Sequence, residues 1–180
     1  MGGVVRRIWW LVFGLLPLLG GCVFPMVRSD VGNIHLAEFT ESFADVSIVL
    51  ETDDAEEAVL VATFTPTEAD AHLYSMELPK EGIDGFGRPT LLELLAWAHM
   101  QVAGELQESL LSEEDSVASD LPTLPVYPTG SVTLRLPVIL PDGQGEMVDD
   151  QVLVTYMVCT PRGCHKPVEG KLVDVHVPTK

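Results

Sequence analysis

Cations are scarce in this chain: ten Lys and Arg face 27 Asp and Glu, for a formal charge of −17. So anionic a protein has no electrostatic footing on nucleic acid or on acidic lipid headgroups, both of which need basic surface. Cysteine is nearly absent, with three in 180 residues. That is too few for a disulfide-dense scaffold or a four-cysteine zinc site. Long apolar runs are also missing. Ile8 to Leu19 is interrupted by Gly14 and Pro17 and falls short of the ~20 residues that cross a bilayer. Gly82, Gly85 and Gly87 form a glycine-rich loop without the lysine or the strand-to-helix context of a phosphate-binding loop. No serine–histidine–aspartate set or carboxylate pair has a readable frame, so hydrolytic chemistry has no support.

What is present begins with an address. Arg6 and Arg7 precede the short apolar run, the arrangement of an export signal. The run ends in Leu19-Gly20-Gly21-Cys22, which resembles the lipobox of bacterial lipoproteins. That resemblance implies removal of residues 1–21, lipidation of Cys22, and a lipid-anchored protein of the cell envelope facing the periplasm or the cell exterior. The expected organisation is a signal peptide over 1–21, a lipidated tether over 22–44 and one domain over 45–180. Cys159 and Cys164 then remain as an isolated pair outside the cytosol.

The body of the chain reads as strands. Val132, Leu134, Leu136 and Val138 alternate with Thr133 and Arg135, the period of a half-buried strand. Asp45–Leu50, Glu57–Phe64, His72–Met76, Val152–Val158 and Lys171–Val177 carry similar signals. Asp53-Asp54 with Glu56-Glu57 reads as a solvated acidic turn, without the ligand spacing of a calcium loop. Thr90–Leu106 fits either an amphipathic helix or two strands broken at Ala96–His99. Leu110–Pro128, acidic and then proline-rich, reads as a long loop. Trp97 and Tyr74 read as core. Seven or eight short strands with turns between them predict an all-β sandwich.

The chemistry concentrates in Tyr156-Met157-Val158-Cys159-Thr160-Pro161-Arg162-Gly163-Cys164-His165-Lys166-Pro167. Thr160-Pro161-Arg162-Gly163 has the proline and glycine positions of a type I turn. It places the two thiols at the ends of a tight reversal. A bridge closing so short a loop stabilises by only about 2 kcal/mol. Arg162, His165 and Lys166 surround the pair, with Glu169 the only acid nearby in sequence, and such cations favour the nucleophilic thiolate. An inert disulfide closing a hairpin satisfies the same spacing.

Several ordered motifs extend the reading. Tyr156-x-x-Cys159, then Cys164 and Pro167, resembles the C-terminal motif of the N-terminal periplasmic domain of the thiol:disulfide interchange protein DsbD. His72-Leu73-Tyr74-Ser75 is similar to that family's H-x-Y-S strand, Gly87-Arg88-Pro89-Thr90 to its G-x-P-T segment, and Tyr127, Gly130 and Leu136-Pro137-Val138 to its aromatic-glycine-strand-Pro-Val run. The resemblance covers about residues 45–178. It implies an immunoglobulin-like β-sandwich whose Cys159/Cys164 pair shuttles electrons, with Cys164 as the attacking thiol and no cofactor. It also implies two partners: a DsbD-like or CcdA-like membrane electron conduit, and a thiol–disulfide substrate protein. The family shields its pair with a cap loop bearing an aromatic residue, and Tyr127 lies in the corresponding region. Arg162, His165 and Lys166 are the expected supporting cations. His165-Lys166 departs from the family, which more often has an apolar residue before the proline.

Other chemistries fit less well. Haem attachment normally places two residues between its cysteines, whereas here there are four. Zinc would require Cys159, Cys164, His165 and His176 in an unfamiliar frame, and no metal site is expected. His35, His72, His99 and His176 read as ordinary surface or strand residues. The reading from a different class is a binding or scaffold protein with the same sandwich and a static disulfide.

Overall fold

A computed structural model describes residues 32–52, 58–115 and 122–180. The export signal, Cys22 and the acidic turn at 53–57 lie outside these residues. The described chain is all strand and turn. In order, the strands are β1 (Gly32–Glu41), β2 (Ala44–Thr52), β3 (Ala58–Pro66), β4 (His72–Leu73), β5 (Leu91–Leu94), β6 (Gln101–Val102), β7 (Gln107–Glu108), β8 (Glu113–Asp115), β9 (Leu124–Val126), β10 (Val132–Ile139), β11 (Met147–Tyr156), β12 (Val158–Thr160), β13 (Gly163–Cys164) and β14 (Val168–Pro178).

Two antiparallel sheets form the sandwich. The larger runs β1-β2-β3-β10, with β6 and β7 both pairing the far side of β10. The smaller is β14-β11-β5. Alternation decides which side chains face inward. Val46, Ile48, Leu50, Leu60, Phe64, Leu134 and Leu136 from the first sheet meet Leu92, Val152, Val154, Val173, Val175 and Val177 from the second in one buried core. Outward positions carry short polar pairs, such as Thr63 with Thr133 at 3.1 Å and Glu51 with Arg135 at 2.6 Å. The Glu51 hydrogen bond raises the Arg135 pKa above its ordinary value. Tyr156 ties the layers: its ring packs in the core and its hydroxyl donates to the Glu41 carbonyl at 2.8 Å.

Pro137 explains a break in the sheet. The Pro137 carbonyl accepts from Ala103 N at 2.9 Å, so this residue turns its backbone polar side toward β6 and β7. There the ring leaves no N–H to pair. The partner strand accordingly divides, β7 pairing Leu134–Arg135 and β6 pairing Val138–Ile139.

Three expectations need correction, and one open alternative is settled. Residues 32–41, read as tether, are strand β1, paired with β2 from end to end apart from a bulge at Leu36. Their burial is slight and irregular, which hid the strand. Thr90–Leu106 resolves into the two-strand alternative, β5 and β6, with no helix. Leu110–Pro128 is not simply a loop, because β8 and β9 pair within it. Trp97 is not core; it is 75% exposed.

Candidate functional site

The cysteine stretch forms a small sheet of its own, β13-β12-β4, beyond the Tyr156 end of β11. Thr160 Oγ1 accepts from Arg162 N at 3.2 Å and donates to the Gly163 carbonyl at 3.1 Å, which sets the reversal. Gly163 has φ +146°, a value that favours glycine. Cys159 and Cys164 thereby become direct cross-strand partners, with Cα atoms 4.0 Å apart, and they are disulfide-bonded.

The two cysteines differ in access. Cys159 is buried, at 1% exposure, while Cys164 is exposed. The other cross-strand partner of Cys159, His72, is on β4, whose pairing with β12 holds the buried cysteine from behind. Two residues on is Tyr74, also buried. Its hydroxyl lies 3.2 Å from Cys159 Sγ and 3.6 Å from Cys164 Sγ. The His72 ring stands edge-on to the Tyr74 ring at 5.6 Å. Thr90 anchors the Tyr74 backbone by two bonds to its carbonyl, from N at 3.1 Å and from Oγ1 at 2.8 Å. A fixed phenol at both sulfurs can donate to whichever becomes a thiolate.

The glycine loop supplies the other wall. Gly87, at φ +74°, lies so close to Tyr74 that a Cβ there would sit 3.2 Å from Cε1 of the ring and 2.8 Å from a Leu78 methyl. Only glycine lets the loop approach this closely. The approach brings Phe86, 46% exposed, to an apolar hollow of about 280 Å³ that Cys164 also lines, together with Pro122, Leu124 and Met157.

Charge around the pair differs from the sequence expectation. Glu68, distant in sequence, meets His165 Nε2 at 3.1 Å and Arg162 at 3.5 Å. Glu169, expected to be the nearby acid, instead pairs with Arg88 at 2.5 Å. Two of the three expected cations thus share one carboxylate, and their pull on a thiolate is weakened accordingly. Lys166 is exposed. The His165 ring also stacks on Phe43 at 3.7 Å. Phe43 belongs to the β1–β2 turn, where both Ser42 and Phe43 have positive φ, at 45° and 64°. That conformation is uncommon for a phenylalanine.

Tyr127 is not the aromatic at the cysteines. It is buried in the main core, accepts from Met76 N at 3.0 Å and donates to the Glu108 carboxylate. Burial first, and Glu108 second, push its pKa well above the ordinary tyrosine value. Tyr74 and Phe86 occupy the positions beside the sulfurs instead. Both stand inside motifs legible in the sequence, Tyr74 in the H-x-Y-S strand and Phe86 as the one aromatic among three glycines. Glu68 and Phe43 carried no such signal. His176 lies elsewhere, bonded to Asp149 at 2.6 Å. Among the described residues no group of three or more His, Cys, Asp or Glu is placed to hold a metal ion.

No protein-family model matches the chain, and neither does any curated protein. Among solved structures it is similar to the N-terminal domain of DsbD from Neisseria meningitidis, in the reduced form. The match covers 88% of this chain and 90% of that one, at 12% sequence identity and a TM-score of 0.37.

Proposed function

We propose that this protein is an extracytoplasmic thiol–disulfide exchange module working through Cys159 and Cys164. One observation carries the reading: of two directly paired cysteines, one is buried, one is exposed, and a fixed phenol reaches both sulfurs. In the reduced protein the accessible Cys164 thiolate attacks a substrate disulfide. A Cys164–substrate S–S bond forms, the substrate's own S–S bond breaks, and the departing sulfur takes a proton. Cys159 then attacks Cys164 Sγ, which closes the protein disulfide and releases the second substrate thiol. Two electrons pass from the pair to the substrate. Tyr74 stabilises the thiolate that each step creates or consumes at this pair.

The same proposal includes a lipid anchor at Cys22, supported by the lipobox. It also includes a DsbD-like or CcdA-like membrane conduit that re-reduces the pair, supported by the motif resemblance.

The test is trapping. Cys159→Ser should accumulate a mixed disulfide through Cys164, and Cys164→Ser should accumulate none; in the reduced wild type Cys164 should alkylate faster than Cys159. A pair that stays oxidised beside a competent membrane reductase, with neither variant trapping a partner, returns the protein to the static-disulfide reading. Loss of membrane association in Cys22→Ala tests the anchor separately.

A further inference from the structure

We propose that the hollow beside Cys164 selects substrates whose reacting cysteine is flanked by an apolar side chain, an inference that rests on the exchange reading above. The hollow measures about 280 Å³, just below the ~300–1,000 Å³ of typical small-molecule sites. It therefore suits one side chain better than a cofactor. Phe86, Pro122, Leu124 and Met157 wall it, and none of them carries a charge or a polar side-chain hydrogen-bonding group apart from the weak thioether. The one polar group among the remaining side chains, the Tyr74 hydroxyl, lies within hydrogen-bonding reach of both sulfurs.

The occupant follows from the chemistry of the lining. Cys164 is itself part of the hollow. A substrate sulfur cannot reach Cys164 without bringing the residues beside it to the same place. An apolar side chain there leaves water and gains contact with Phe86 and Met157. A polar one of the same size leaves water and gains no partner. Phe86 already turns apolar surface to solvent at this point, on a loop that Gly87 holds against Tyr74. The selected step is the first exchange: the Cys164–substrate bond forms, the substrate's bond to its leaving sulfur breaks, and the leaving thiolate carries off the electron pair.

Two peptides that differ only in the residue before their cysteine, Leu or Asn, test the inference. Each is offered to the reduced protein as its mixed disulfide with thionitrobenzoate, and chromophore release is followed. The rate with dithiothreitol corrects for each peptide's intrinsic reactivity. The corrected rate should be about tenfold higher for the Leu peptide, within the range by which apolar pockets discriminate. Phe86→Ser and, independently, Met157→Ser should each reduce that preference. Equal corrected rates in the wild type overturn the inference and leave the exchange reading standing. No release from either peptide overturns the exchange reading, and the inference with it.

Discussion

The ladder of β11 and β14 has a hollow at each end, and the two are unlike. At the Met147 end, Trp97, His99, Asp149, Gln151, Asp174 and His176 line a space of about 470 Å³. At the Tyr156 end lies the smaller apolar space beside Cys164. Asp149 and Tyr156 are seven residues apart on one strand, roughly 23 Å at the usual rise per residue. Both ends expose an aromatic ring, Trp97 at 75% and Phe86 at 46%. The difference lies in how polar groups are satisfied. Around Trp97 they satisfy one another across the ladder, Asp149 with His176 at 2.6 Å and Gln151 with Asp174 at 2.7 Å. Around Phe86 the chemistry is a bond that can be exchanged, held between a buried and an exposed residue. The larger hollow is a finished polar surface, whereas the smaller one is lined by one cysteine of the pair. Size is therefore a poor guide to which hollow holds the cysteine pair.

The largest expected effect belongs to the core both ends share. Phe64 is fully buried, with its ring 5.5 Å from that of Tyr156. Phe64→Ala should cost about 3–5 kcal/mol in denaturant unfolding. A smaller loss would mean that the ends are braced independently of the core.

Tyr74→Phe comes next and separates the two ends. Removing a hydrogen bond to a charged group is worth about 1.5–3 kcal/mol. Resolution of the Cys164 mixed disulfide, measured by quenched-flow trapping, should slow by roughly tenfold or more. Trp97→Ala, at the other end, should leave that rate unchanged. Equal sensitivity to both would break the comparison.

A pH scan sharpens the same picture from the core. Burial raises the pKa of Tyr127 and of Tyr156 in the folded protein. Their contribution to stability is whole below the unfolded tyrosine value of about 10. Above it the unfolded chain loses these protons first, so stability falls, by up to about 1.4 kcal/mol per pH unit for each group. Tyr156→Phe should reduce the slope of stability against pH above 10 by about one proton, read from urea midpoints.

The smallest effect is at the polar surface. Asp149 and His176 are both well exposed, and exposed pairs of this kind contribute about 0–1 kcal/mol. Asp149→Ala should shift stability within that range, less at high salt.

Much of this was legible in the sequence because it is written locally. The alternation in β10 is strict, and the Thr160–Gly163 reversal depends on residues inside the turn. The all-β sandwich followed from such segments. What escaped depends on distant partners. Glu68 reaches His165 across 97 positions, and Phe43 reaches the same ring from a turn with no glycine or asparagine to announce it. β1 buries too little to show a period, and β8, all acidic, is a strand only because β9 pairs with it. Tyr127 and Tyr74 illustrate the limit for side chains. Both are buried tyrosines, and only the pairing of β4 with β12 decides which of them meets the sulfurs.

The β1–β2 hairpin has a mechanical meaning. β1 lies at the edge of its sheet and pairs in order from Gly32 with Thr52 to Glu41 with Ala44. A pull on Gly32 loads these pairs one after another, as in a zipper, rather than all together. The last fastenings are those of Glu41, to the Tyr156 hydroxyl and to Lys171 at 2.8 Å, and beyond them the Phe43 ring on His165. Tension entering the domain at Gly32 is taken up along the strand first. It reaches the cysteine turn only after β1 has come away.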